Sequence, residues 1–409
     1  MNLSSTLAIP VIVFTFIGVA VGEIPGLKMN RATIALVAAV LLVTLRIITP
    51  SAALGTIDSG TLVLLFAMMV ISAHLEIAGF FTWIGQLIVR QTRSSRWLLA
   101  WIMAVAGLVA ALFLNDTVAV VFTPLVLKVT RSLHRDPIPY VLGLATAANI
   151  GSSATITGNP QNILVGSSSH IPFAVFLGRL GPVALIGLVL AWFILVGLYR
   201  AEFGRARHIQ ATELDYVEID RALLWKSLAL TCLMTIAFLS GISLQLAAIA
   251  VAAALLISRR IKPDAVFERV DWSLLIFFSG LFVVTGALEQ VHVLDQLFPL
   301  VQPVMKAGVG PLAVLTVVLS NLISNVPAVL LLRSMVPQLG NPVQAWLTLA
   351  MASTLAGNLT LLGSVANLIV AETARTWGVK LSFREYLRAG VPITVVTIVV
   401  GILWLSVTA

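Results

Sequence analysis

The 409-residue chain is 59% hydrophobic and 10% charged, with a mean hydropathy of +1.04, a balance that excludes a water-soluble core beneath a solvated surface. Its formal charge of +8 does not indicate a nucleic-acid partner, because the basic residues fall between apolar segments, as topology signals do. A single cysteine, Cys232, excludes an intrachain disulfide framework and a cysteine-rich metal site, and its apolar surroundings read as packing.

The first apolar run, 3–22, follows MNLSST, which lacks the cationic start of a signal peptide, so it reads as a retained span. Further apolar segments follow at 30–48, 59–75, 97–131, 139–165 and 173–199. Asp58 opens one of them as an N-cap. Glu76 marks the start of a mixed segment that reads as an interfacial arm. The polar stretch RAEFGRARHIQATELDYVEIDRA then places a cytoplasmic linker at 200–220.

Beyond the linker the polar punctuation recurs. A shift of 213 residues superposes Arg46 on Arg259, Pro50 on Pro263, Asp58 on Asp271 and Glu76 on Glu289. The shift falls to 210 for Asn115 and Asn325, and to 205 for Gly158 with Gly363 and Asn162 with Asn367. The chain is thus a duplicated membrane unit, 1–199 and 221–409. The predicted fold is an all-α polytopic membrane protein with about ten transmembrane helices.

If 97–131 enters and leaves by the same face, each half crosses five times, and an odd number makes the repeats inverted. With the N-terminus outside, only Arg46, Arg179, Lys306 and Arg333 of the 25 lysines and arginines lie outside, which satisfies the positive-inside rule. The expectation is a bacterial-type inner (plasma) membrane protein with both termini outside.

Four interruptions carry the chemistry. The 97–131 segment breaks at Asn115, Asp116 and Thr117, and its counterpart 310–338 breaks at Ser324 and Asn325. The alternative to a re-entrant hairpin is two full spans joined by a surface turn; the matched second break favours the hairpin. Two further breaks lie in GSSATITGNPQN (151–162) within 139–165 and GNLTLLGSVAN (357–367) within 343–370. Unwound backbone in hydrocarbon is costly unless protein or a hydrated cavity satisfies it, so these stretches are expected to line a cavity. Half-helix N-termini there can hold an anion or the oxygens of a neutral acid, and carbonyls on the other side a cation. The candidate substrate or ion ligands are Asn115, Asp116, Thr117, Ser153, Thr155, Gly158, Asn159, Asn162, Ser324, Asn325, Asn358, Thr360, Gly363, Ser364 and Asn367.

Asp116 is the candidate proton-coupling group, because a carboxylate at that depth marks an ion or proton pathway; the bland reading is a turn or capping aspartate. No lysine or arginine is expected near any of the four interruptions, which argues for a neutral or singly charged substrate. The five histidines show no metal-ligand spacing, and no nucleophile–base pair or metal cluster marks an enzyme.

NDTVAVVFTPLVL (115–127), GSSATITGNPQNILVG (151–166) and SNVPAVLLL (324–332) resemble the signature segments of the ion transporter superfamily, which includes arsenite-antimonite efflux permeases, citrate carriers and sodium-dicarboxylate symporters. The resemblance implies a hairpin and a broken helix in each repeat, a scaffold of the remaining spans, and elevator-type alternating access. Sodium-dicarboxylate symporters carry Ser-Asn-Thr at both tips, whereas this chain carries Leu114-Asn115-Asp116-Thr117 and Ser324-Asn325-Val326-Pro327, the first nearer the arsenite branch. The implied function is proton-coupled efflux of arsenite, antimonite or a related small oxyacid. Sodium-coupled di- or tricarboxylate uptake and cation/proton antiport are the competing readings. No cofactor is expected beyond a coupling proton or sodium ion. The expected partners are the lipid bilayer and the substrate; a homodimer and a separate ATPase subunit are compatible with the sequence, which itself carries no nucleotide-binding motif.

Overall fold

The computed structural model describes residues 3–22, 26–92, 94–204 and 219–408, and these residues are helical with no strand among them. Among the described residues, six helices are long and apolar enough to cross a membrane: Ser59–Ile77, Ser95–Leu112, Phe173–Leu198, Arg221–Leu239, Trp272–Gln290 and Phe383–Thr408. Shorter apolar helices at Ala8–Val21, Arg31–Thr44, Leu244–Leu256 and Val309–Ile323 accompany them. Large apolar side chains such as Phe14, Leu185, Phe193, Leu233 and Leu403 face outward, as a lipid-solvated surface requires. Cys232 is exposed among them, so the packing role expected of it does not hold; it sits on the outward face of its helix.

Among the described residues, ten helices from Leu3–Val21 to Phe173–Leu198 are matched in order by ten from Arg221–Leu239 to Phe383–Thr408. The contacts between the halves are reciprocal. Arg31–Thr44 packs on Trp272–Gln290, and its counterpart Leu244–Leu256 packs on Ser59–Ile77. Likewise Asn115–Ser132 packs on Val365–Thr376, and Asn325–Arg333 on Pro160–Ser169. Contacts that recur with the partners exchanged are the mark of a two-fold relation between repeats.

Each expected hairpin is two antiparallel arms: Ser95–Leu112 with Asn115–Ser132, and Val309–Ile323 with Asn325–Arg333. The second ends at Arg333, short of the expected 338, because a 3₁₀ turn at Val336–Gln338 follows. The broken helices are Ile138–Ser152 with Pro160–Ser169, and Pro342–Ala356 with Val365–Thr376, each interrupted by a 3₁₀ turn at Ile156–Gly158 or Leu361–Gly363. Asp58 and Asp271 are N-caps as expected, accepting from the amides of Thr61 and Leu274. The linker is described only to Gly204 and again from Ile219; the expectation for 205–218 lies outside the described residues.

The two 26-residue helices Phe173–Leu198 and Phe383–Thr408 pack together as a ruler about 39 Å long. They are antiparallel: Trp404 Nε1 donates to Arg179 O at 2.9 Å, and at the other end the Tyr199 hydroxyl donates to Glu385 at 2.5 Å. The base of the first hairpin is tied to the Leu198 end, where Trp192 Nε1 donates to Arg96 O at 3.2 Å and Arg96 Nε to Phe203 O at 3.1 Å. The base of the second lies at the opposite end, where Gly308 and Val309 share a pocket with Gln344, which donates to Leu405 O at 3.0 Å. The hairpins therefore enter from opposite ends and meet at their tips. A surface turn at Asn115 is excluded, since Leu114 and Asn115 are 3% and 4% exposed.

Close backbone approach fixes the hairpin against the broken helix. A Cβ on Gly151 would lie 2.1 Å from Gly107 O and 2.3 Å from Gly107 Cα, so a side chain there would separate Ile138–Ser152 from the hairpin arm.

Candidate functional site

A cavity of about 800 Å³ lies where the hairpin tips meet the scaffold spans. The tips supply Asn115, Asp116, Ser324 and Asn325; the second break supplies Gly363 and Ser364; the scaffold supplies Arg31 and Asp271. Thus six of the fifteen expected ligand residues meet in one place. Thr117 lies one residue beyond the tip without lining it.

Three helices begin at this cavity without a side-chain cap: Asn115–Ser132, Asn325–Arg333 and Val365–Thr376. Their first-turn amides have no intrahelical acceptor and carry partial positive charge. The fourth, Pro160–Ser169, is closed by Asn159, whose Oδ1 accepts from the amide of Asn162 at 2.8 Å. Ser324 holds φ +79° and ψ 156°, a region favoured by glycine, so strain is concentrated at the second tip.

Both tip asparagines are buried, at 4% and 8% exposure, and the Oδ1 atoms of Asn115 and Asn325 have no hydrogen-bond partner. A buried acceptor without a donor costs about 1–3 kcal/mol. Two such oxygens, in residues that line one cavity beside free helix amides, suit a ligand that both donates and accepts hydrogen bonds, or a desolvated cation.

Arg31 corrects the expectation that no basic residue attends the interruptions. It is distant from them along the chain but lines the same cavity, and its charge and that of Asp271 act on Asp116. The charged lining is therefore one cation and two carboxylates.

The other expected ligands seal the breaks instead of facing the cavity. Asn162 Nδ2 donates to Ser152 O at 3.1 Å and Thr155 O at 2.9 Å; Asn367 Nδ2 donates to Gly357 O at 2.7 Å and Thr360 O at 3.2 Å. The spacing back along the chain is the same in both, so matched asparagines satisfy the carbonyls that each break frees. Gly158 is needed because a Cβ there would lie 2.2 Å from Ser152 O. The Ser153 hydroxyl donates to Ile150 O at 2.6 Å, Thr155 to Ala111 O, Asn358 Nδ2 to Thr146 O at 3.3 Å, and Thr360 to Asn321 Oδ1 at 3.4 Å.

Two residues absent from the sequence expectation tie the halves together. Thr354 accepts from Asn159 Nδ2 at 3.0 Å and donates to Asn162 Oδ1 at 3.1 Å. Asn149, its counterpart by the 205-residue shift, donates to Asn358 Oδ1 at 2.9 Å and Asn367 Oδ1 at 3.0 Å, and accepts from Asn115 Nδ2 at 3.0 Å and Ser364 Oγ at 3.1 Å. A lone asparagine inside an apolar helix was the available signal.

On the far side of the scaffold, Asp58 is in contact where its counterpart Asp271 is open: Asp58 Oδ2 accepts from Ser167 Oγ at 2.8 Å, joining a scaffold span to a broken helix. The site is open at one of two equivalent positions and closed at the other.

The family model described as citrate transporter matches residues 12–356. A silicon efflux transporter of Oryza sativa subsp. japonica is 32% identical, covering 93% of each chain. A 46 kDa membrane protein of Mycobacterium leprae is 30% identical over 98% of each. A putative transporter arsB of Dictyostelium discoideum is 24% identical over 92% of this chain and 87% of that one. The crystal structure of the YdaH transporter of Alcanivorax borkumensis shares the fold, with a TM-score of 0.55 at 16% identity over 99% of this chain and 98% of that one.

Proposed function

Because the chain belongs to the citrate transporter family and is a multi-pass membrane transporter, not an enzyme, we propose that it exports a small uncharged oxyacid, arsenite or antimonite first among the candidates, in exchange for protons. The observation that carries this reading is the pair of buried, unpartnered oxygens of Asn115 and Asn325 beside uncapped helix N-termini. Arsenite at neutral pH is mainly As(OH)₃. Its hydroxyls donate to the two amide oxygens, and its oxygens accept from the helix amides. The rice relative is named a silicon efflux transporter, and silicic acid, like As(OH)₃, is an uncharged hydroxide at neutral pH.

The lining charges support the choice against a tricarboxylate. With Arg31, Asp116 and Asp271 in the lining, citrate would meet side chains with no net positive charge to offset its own. Asp116 is the proposed proton carrier, lining the cavity at the first tip. A proton needs no cofactor, and none is proposed.

Transport follows from the two-fold relation. Asp271 faces the open cavity while Asp58 is closed on Ser167; exchanging the conformations of the two repeats opens the second position and closes the first. The hairpins and broken helices would move as an elevator against the scaffold, in an inner membrane with both termini outside and the open cavity facing the cytoplasm. Substrate and proton bias the two states by binding them unequally. Sodium-coupled carboxylate transport is the competing reading, since carbonyl oxygens also hold sodium. Proteoliposomes offered arsenite, silicic acid or citrate separate the two: the proposal requires saturable arsenite flux without sodium, and sodium-dependent citrate flux alone overturns it.

A further inference from the structure

The proposed ligand meets an oxygen at the first tip because of residues it never touches. The Asn367 amide group is held by two backbone carbonyls, Gly357 O at 2.7 Å and Thr360 O at 3.2 Å. Carbonyls only accept, so Nδ2 of Asn367 must face them and its Oδ1 must face Asn149. Asn149 then has to present its own Nδ2, which donates to Asn367 Oδ1 at 3.0 Å and Asn358 Oδ1 at 2.9 Å. Asn358 is oriented in the same way by Thr146 O at 3.3 Å. Oδ1 of Asn149 is left to accept, from Ser364 Oγ at 3.1 Å and Asn115 Nδ2 at 3.0 Å. Asn115 must therefore spend its donor end on Asn149. Its oxygen is left buried and without a partner, in a residue that lines the cavity.

We infer that Asn149 and Asn367 are positioning residues that set the hydrogen-bond polarity of the first tip, so that the site selects hydroxyl donors or a cation over ligands that only accept. Flipping the Asn115 amide would set its oxygen against Asn149 Oδ1, and no member of the chain can flip in compensation, because the backbone carbonyls at its end cannot. All of Asn149's polar capacity is used, at 1% exposure. The second repeat lacks this device, since Thr354 at the matching position is spent on Asn159 and Asn162. The inference rests on the cavity being the ligand site, as proposed above.

The test is ligand-induced thermal stabilisation of the purified full-length protein, with arsenite, boric acid and sodium as donor or cationic probes and nitrate as an acceptor-only anion. The wild type is expected to be stabilised by at least one of the first three more strongly than by nitrate, which the helix amides and Arg31 can hold but the Asn115 oxygen cannot. Stabilisation by nitrate alone overturns the inference without any variant being made. In Asn149→Thr, which carries the residue of the other repeat, the Asn115 amide can turn, so nitrate should compete and the preference for the donor or cationic probe should fall at least tenfold. Asn115→Ala loses affinity for the favoured probe but gains none for nitrate, which separates a missing group from a reversed one. If Asn149→Thr melts lower yet keeps the wild-type preference, its role is structural and the inference fails. Stabilisation by sodium with no arsenite flux would end the oxyacid reading and leave the polarity assignment standing.

Discussion

Replacing Asn162 by alanine tests whether the matched asparagines bind cargo or hold the breaks together. The substitution removes donors to Ser152 O and Thr155 O, at 3.1 and 2.9 Å, and the acceptor of Thr354 Oγ1 at 3.1 Å. Ser152 O keeps a weaker donor in Asn159 Nδ2 at 3.4 Å, so Thr155 O bears most of the loss. A buried carbonyl deprived of its donor costs about 1–3 kcal/mol and a lost hydroxyl bond about 1 kcal/mol, giving a destabilisation of about 2–4 kcal/mol. Asn367→Ala, with the same geometry in the second repeat, should cost a similar amount. The assay is denaturant unfolding in bicelles, alongside KM for the transported oxyacid. Unchanged stability with a KM raised at least tenfold would refute the sealing role and return both residues to the ligand set.

Gly151→Ala drives a methyl group into the backbone of Gly107 and should destabilise by about 3 kcal/mol or more, because backbone cannot move aside as a side chain can; a thermal melt within a degree of wild type would contradict the close approach. Arg31→Gln removes the cation facing Asp116 and should slow gradient-driven transport about tenfold, or about 1.4 kcal/mol, with Arg31→Lys recovering most of the rate; unchanged rates in both variants would make Arg31 a topology residue only. Ser167→Ala removes the bond to Asp58 and should expose a cysteine placed at Gly60 to a water-soluble maleimide in a Cys232→Ser background, whereas equal labelling with and without Ser167 would deny that contact a closing role.

Much of this architecture was legible in the sequence, because hydrocarbon punishes any polar interruption and so leaves the functional breaks visible as breaks. Asn115 and Asn325 stood out for that reason, and Asp58 and Asp271 announced themselves as caps by opening apolar helices. Arg31 did not, since it begins a span, where an arginine is ordinary, and only the packing of Arg31–Thr44 on Trp272–Gln290 places it at the tips. Asn149 was hidden in an apolar run whose helix continues through it. Asn162 and Asn367 were found as a matched pair, but sequence does not distinguish an amide that meets a ligand from one that clips its own backbone ten residues back; that required the carbonyl distances.

The most direct test of the central claim is arsenite uptake into everted membrane vesicles under an imposed pH gradient, comparing the wild-type chain with Asp116→Asn and offering citrate and sodium in parallel. The account predicts gradient-driven arsenite accumulation that the substitution abolishes. Sodium-dependent citrate movement with no arsenite flux would contradict it.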